Sequence, residues 1–181
     1  PLTGCVNRLR NAPLSLWQRA LRLFLAASAL SVLTACSTAT IDNYAAEQRT
    51  LDLRTYFNGP VQAYGMFQDR SGQVVKRFEV AMTGTWQGNS GVLDELFSYS
   101  DGTTERRVWR LTQHPDGRVT GFADEVLGEP QGAVRGNAMQ WQYILRLRVD
   151  GSVDEVSMDD WMYLLNGRIM INRTAMSEWG V

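Results

Sequence analysis

The chain has 181 residues, 44% hydrophobic and 20% charged, with a formal net charge of −1. That length suits one domain, and the charge balance is uneven along the chain: the part after residue 36 is mildly acidic, which argues against nucleic acid as a partner. One histidine and two cysteines leave no His/Cys ligand set for a metal and only His114 as the base of a hydrolytic triad.

Residues 1–35 read as a lipoprotein signal peptide. Arg8, Arg10, Arg19 and Arg22 form a basic stretch without an acid, residues 23–32 are apolar, and Leu33-Thr34-Ala35-Cys36 supplies a small-residue cleavage box ending in cysteine. The apolar run is shorter than the roughly 20 residues of a membrane-spanning helix. Cys36 is the expected lipidation site. In a bacterium with two membranes, Ser37 in place of an aspartate favours the outer membrane, facing the periplasm, as the expected location. The first methionine is Met66, so residues 1–7 carry no weight. Removing residues 1–35 takes four of the 18 basic side chains and no acid, so the remainder holds 14 basic against 19 acidic residues. No polybasic segment favours anionic lipid, so attachment is expected through the acyl chains. Cys5 leaves with the signal and Cys36 is acylated. The domain must then be held by its core, without disulfides.

Residues 36–50 are polar and aperiodic, and read as a lipidated tether. Leu51, Leu53, Tyr56 and Phe57 suggest a short plug before Gly59-Pro60. From Val61 onward the pattern has period two. Phe78, Val80, Met82, Gly84 and Trp86 share one parity, as do Met139, Trp141, Tyr143, Leu145, Leu147 and Val149. Such alternation marks half-buried strands. Turns are expected at Asp69-Arg70-Ser71-Gly72, Gly88-Asn89-Ser90-Gly91, Asp101-Gly102, His114-Pro115-Asp116-Gly117, Glu129-Pro130-Gln131-Gly132, Gly136-Asn137, Asp150-Gly151 and Asn166-Gly167. Eight to ten long antiparallel strands in sequence close most naturally into an up-and-down barrel, which removes exposed edges; a two-layer sandwich is the rival. The expected fold is all-β over residues 51–181, preceded by a signal helix and the plug.

The turns also predict cross-strand pairs. A two-residue turn at Asp150-Gly151 sets Trp141 opposite Asp160, Tyr143 opposite Met158 and Leu145 opposite Val156. A two-residue turn at Asn166-Gly167 sets Asp160 opposite Arg173 and Met162 opposite Ile171. Trp141, Tyr143, Met158, Asp160, Met162 and Arg173 therefore share one face, apolar but for a single ion pair. That face is expected to line the barrel. The pair can be a satisfied core contact, which is weak evidence for stability, or a contact for the polar group of a ligand.

No catalytic constellation emerges. His114 sits in a turn, no Gly-x-Ser-x-Gly elbow or phosphate-binding glycine loop is present, and Asp150 to Asp160 lacks calcium-loop spacing. Adjacent carboxylates in a strand, Asp94-Glu95 and Asp159-Asp160, point to opposite faces and make poor acid/base pairs. The expectation is a non-enzymatic protein without metal or cofactor. Scattered Trp and Met residues either fill a core or line an adaptable apolar cavity.

The cleavage box, Tyr56-Phe57-Asn58-Gly59 and the run of long hairpins resemble lipocalin-like barrels. More narrowly, Asp69-Arg70-Ser71-Gly72, Asp159-Asp160-Trp161-Met162-Tyr163 and Ile171-Asn172-Arg173 resemble an uncharacterised family of bacterial lipoproteins. Near the first strand, where true lipocalins carry Gly-x-Trp, this chain has Phe57-Asn58-Gly59, and their later Thr-Asp-Tyr is absent unless Asp159-Asp160-Trp161 stands in for it, so the likeness is one of architecture. It implies an envelope location and a hydrophobic ligand of the fatty acid or phospholipid type. The alternative is a structural or assembly protein that uses its outer surface on an envelope protein partner.

Overall fold

The computed structural model describes residues 38–149 and 152–178. The signal segment, the lipidation site and the Asp150-Gly151 turn lie outside the described residues. One compact unit runs Thr40–Val181. A 3₁₀ turn, Ile41–Tyr44, and a single-turn helix α1, Leu53–Tyr56, precede nine strands. These are β1 Gly59–Gln68, β2 Val74–Gln87, β3 Ser90–Tyr99, β4 Thr104–Gln113, β5 Arg118–Phe122, β6 Val126–Arg135, β7 Ala138–Val149, β8 Ser152–Leu164 and β9 Met170–Glu178. Each strand pairs antiparallel with the next in a single sheet.

The meander curls into a half-barrel. The expected closed barrel does not form: no ladder joins β1 to β9 among the described residues. Two features explain the open seam. Pro60 near the start of β1 lacks the N–H that an edge ladder needs. At the same end the plug occupies the gap, where the Tyr56 hydroxyl meets the backbone of Met170 on β9.

Asp52 caps α1 by accepting from the Arg54 N–H at 3.2 Å, and Leu51, Leu53 and Phe57 are buried. The plug is bonded to three hairpins. The Leu51 N–H donates to the Gly136 carbonyl at 2.8 Å, the Leu53 N–H to Gln113 Oε1 at 3.1 Å, and Arg54 Nη1 to Asn89 Oδ1 at 3.1 Å. Gly84 lets the plug lie flat on β2, because a Cβ there would overlap the Phe57 carbonyl oxygen. The half-barrel therefore has a plugged end and an open mouth. The mouth carries the β1–β2, β3–β4 and β5–β6 connections.

The second half of the presumed tether belongs to the domain. Tyr44 packs on Trp161 and Tyr163 at ring distances of 5.9 and 5.3 Å, and Arg135 pairs with Asp42 at 3.2 Å. Gly136, at φ +51°, takes a backbone form that side chains disfavour, and a Cβ there would meet the Tyr44 carbonyl oxygen.

Two turn assignments need correction. Glu129-Pro130-Gln131-Gly132 lies inside β6, where the register slips between Leu127 and Gln131. A bulge tolerates a proline without an N–H, and Pro130 is fully buried in it. The chain reverses earlier, where the Val126 N–H closes on the Ala123 carbonyl at 3.0 Å. The Asn166-Gly167 connection is longer by one residue than the two-residue turn. The Asn166 side chain accepts from the N–H groups of both Arg168 and Ile169, at 2.9 and 3.0 Å, and the Leu165 N–H bonds to the Ile169 carbonyl. Neither Asn166 nor Gly167 adopts the positive φ of the expected turn. The β8–β9 register moves by one, so Asp160 faces Thr174, Trp161 faces Arg173 and Met162 faces Asn172.

Candidate functional site

The concave face is set by parity. Strand β4 turns Glu105, Arg107, Trp109 and Leu111 inward, β3 turns Leu93, Glu95, Phe97 and Tyr99 inward, and β7 and β8 contribute Trp141, Tyr143, Met158 and Asp160. Trp109 is the keystone. Its ring lies 5.6 Å from Trp141 and 5.2 Å from Tyr143, both in edge-on contacts, so β4 touches β7 across the curl. On the plug side of this layer, Leu93, Leu111, Val119, Val134, Met139 and Leu164 are buried with Leu51 and Leu53.

On the mouth side the wall becomes aromatic and charged. Phe67, Phe78, Phe97 and Tyr99 form a chain of ring contacts at 5.0, 6.0 and 6.1 Å, and all four rings are only half-buried. Arg107 lies over the Phe97 ring at 5.3 Å, with its Nη2 paired to Glu105. Glu105 also accepts from the Tyr99 hydroxyl at 2.9 Å. Glu95 stands directly opposite Arg107 and accepts from Trp109. Across the curl, Asp160 accepts from the Thr174 hydroxyl and from Tyr143. The same Thr174 hydroxyl lies 2.9 Å from Asn172 Oδ1, and its one proton can serve only one of these acceptors at a time.

Burial governs the electrostatics of this cluster. Arg107 and Asp160 are 7% and 8% exposed, the only charged residues among the buried set in the described chain. Desolvation pushes Glu95 up to about 7, opposed by Arg107 and reinforced by the negative charge of Asp160. Burial also raises Asp160, against the hydrogen bonds from Thr174 and Tyr143, and it holds Tyr143 well above its ordinary value. Arg107 Nε is buried without a hydrogen-bond partner. Such a donor costs free energy until an acceptor reaches it.

Five of the six residues predicted to share a face are brought together. Trp141 faces Asp160 and Tyr143 faces Met158, and Met162 packs on the core beside them. Arg173 is the exception. The one-residue slip in the β8–β9 loop turns it to the outer face opposite Trp161, where it is exposed. The cation near Asp160 is Arg107, delivered from β4 across the curl. The opposed-face reading of the acidic pairs fits: Asp94 binds Arg106 outside at 2.6 Å while Glu95 is inside, and Asp159 bonds Gln140 outside at 2.7 Å while Asp160 is inside. Glu95, Glu105, Arg107 and Trp109 escaped the turn-counting argument. The visible signal was their common parity with Leu93, Phe97, Tyr99 and Leu111.

Two marked clefts lie away from this cluster. One, of about 200 Å³, sits over β5, β6 and β7 beside Val119 and Gly132. The other, of about 270 Å³, lies at the plugged end between residues 49–56 and Leu164. Neither is lined by Trp141, Tyr143, Met158 or Asp160; the concave face at the cluster is a groove floored by the packed rings of Trp109, Trp141 and Tyr143. Among the described residues no group of three or more His, Cys, Asp or Glu is placed to hold a metal, and no helix is long and apolar enough to cross a membrane.

The family described as a protein of unknown function, DUF3833, matches residues 30–181. The chain belongs to that family. The match takes in the whole DUF3833 half-barrel, both walls of the groove and the last six residues before Cys36. No curated protein and no solved structure matches the chain.

Proposed function

We propose that this DUF3833 protein is a lipoprotein held in the outer membrane by acylated Cys36, facing the periplasm, and that its groove binds an amphipathic molecule of the fatty acid or phospholipid type. The observation that carries the ligand reading is the junction of two unlike surfaces at the mouth. The half-buried rings of Phe67, Phe78 and Phe97 offer an apolar wall that solvent still reaches. Beside them lies the buried Arg107, whose Nε lacks an acceptor. An acyl chain laid on the rings removes apolar surface from water at ~25 cal/mol per Å², and an acidic or ester oxygen satisfies the guanidinium. The open seam between β1 and β9 gives a long chain lateral access that a closed barrel would deny. This is a groove binder rather than an enclosed carrier.

The experiment is organic extraction and mass spectrometry of the protein purified from membranes, with displacement of a fluorescent fatty acid by the extracted species. A co-purifying amphiphile, bound more weakly by Arg107→Met and by Phe78→Ser, is the expected result. An empty extract and no fluorescent fatty acid binding overturn the ligand reading. The unpaired edges of β1 and β9 favour a second reading, an assembly protein that takes a partner strand. Site-specific crosslinks from Thr174 to one stoichiometric envelope protein, together with an empty extract, would establish it.

A further inference from the structure

The outer face at the plugged end carries a surface that the groove does not use. The one-residue loop extension turns Leu165, Ile169 and Ile171 outward together at the tip of the β8–β9 hairpin, and they are 53%, 53% and 51% exposed. Ile171 faces Tyr163, Tyr163 stacks on Trp161 at 6.1 Å, and Tyr44 lies against both rings. Arg168 and Arg173 share this surface and form no ion pair among the described residues. Among the acids nearby, Asp159 accepts from Gln140 and Trp161, Asp42 pairs with Arg135, and Glu47 lies against the Gly136 turn. Aliphatic side chains at a tip, tyrosine and tryptophan behind them and unpaired arginines at the margin match the layered polarity of a bilayer surface.

The chain length fixes which surface this end meets. The domain begins at Thr40, four residues after Cys36, and four extended residues span at most ~14 Å. Tyr44 and Leu51 are bound to the Gly136 turn and to the rings of β8, so the start of the domain lies at the plugged end, beside the hairpin tip. We infer that Leu165, Ile169 and Ile171 dip into the interfacial boundary of the periplasmic leaflet of the membrane that holds the anchor, with Arg168 and Arg173 on lipid phosphates and the groove mouth turned away from the bilayer. The inference rests on the acylated Cys36 of the proposed function.

The test uses the full chain, produced with its own signal and reconstituted in vesicles of phosphatidylethanolamine and phosphatidylglycerol. Leu165→Cys, and Ser71→Cys at the mouth as reference, are labelled with an environment-sensitive fluorophore. Interfacial side chains sit ~5–10 Å deep. Leu165→Cys is therefore expected to emit at shorter wavelength and to be quenched several-fold more than Ser71→Cys by lipids brominated on the acyl chain. Intact mass reports acylation separately. An acylated protein whose Leu165→Cys label is as wet as that of Ser71→Cys overturns the inference and leaves the lipoprotein reading standing. An unacylated mass overturns both. A dry label that brominated lipid does not quench, with crosslinked dimers, overturns it in favour of contact between two copies.

Discussion

Replacing Glu95 with glutamine isolates the electrostatics of the groove. A carboxyl whose folded value is raised to about 7 from an ordinary 4.5 binds its proton more tightly in the native state than in the unfolded one. Its stabilising contribution is complete below pH 4.5 and is lost as pH rises through about 7. At about 1.36 kcal/mol per pH unit the ceiling is roughly 3 kcal/mol, and solvent reaching this half-buried group brings it to about 2 kcal/mol. Asp52, Asp69, Asp94, Asp101 and Asp116 are held below their ordinary values by hydrogen bonds, so they lose stability only under more acid conditions. Raised Asp160 acts in the same direction as Glu95 and remains in the variant. Urea unfolding followed by tryptophan fluorescence at pH 5, 6, 7 and 8 should show wild-type stability falling with pH. Glu95→Gln should match it near pH 5 and exceed it by about 2 kcal/mol at pH 8. Parallel curves, or a wild type that gains stability over this range, refute the assigned burial of Glu95 and its coupling to Asp160.

Gly84→Ala forces a methyl against the Phe57 carbonyl and should cost about 1–3 kcal/mol by overpacking, read as a lower urea midpoint. Trp109→Ala removes the contact between β4 and β7 and should cost about 3–5 kcal/mol, measured by thermal unfolding. Asn166→Ala takes away the acceptor of two backbone N–H groups. It should cost about 1 kcal/mol and speed amide exchange at Arg168 and Ile169, with little change elsewhere.

Local grammar carried the hairpins far. The count from Asp150-Gly151 set Trp141 opposite Asp160 and Tyr143 opposite Met158, as the ladder has them. Gly136-Asn137 likewise joins Arg135 to Ala138. The same count failed at Asn166-Gly167 because the asparagine side chain competes for two backbone donors and lengthens the loop. Since side chains alternate, one extra residue sent Arg173 from the groove to the surface. Glu129-Pro130 misled for a related reason: proline is as much at home in a bulge as in a turn. The groove was half legible. Its β7–β8 wall followed from the one turn at Asp150-Gly151, while Glu95, Arg107 and Trp109 lie on strands whose distance from β8 depends on the curl of the sheet.

By itself the sequence determined the strands, their order and which side chains share a parity, because these are short-range consequences of backbone geometry and hydrophobic alternation. It also carried the pattern that makes Cys36 an expected acylation site. Only the tertiary structure decided that the sheet stays open, that the plug fills one end of the seam, and that Arg107 comes to stand near Asp160. Those outcomes depend on the summed twist of nine strands and on how far the plug holds β1 from β9, quantities that no local run of residues encodes.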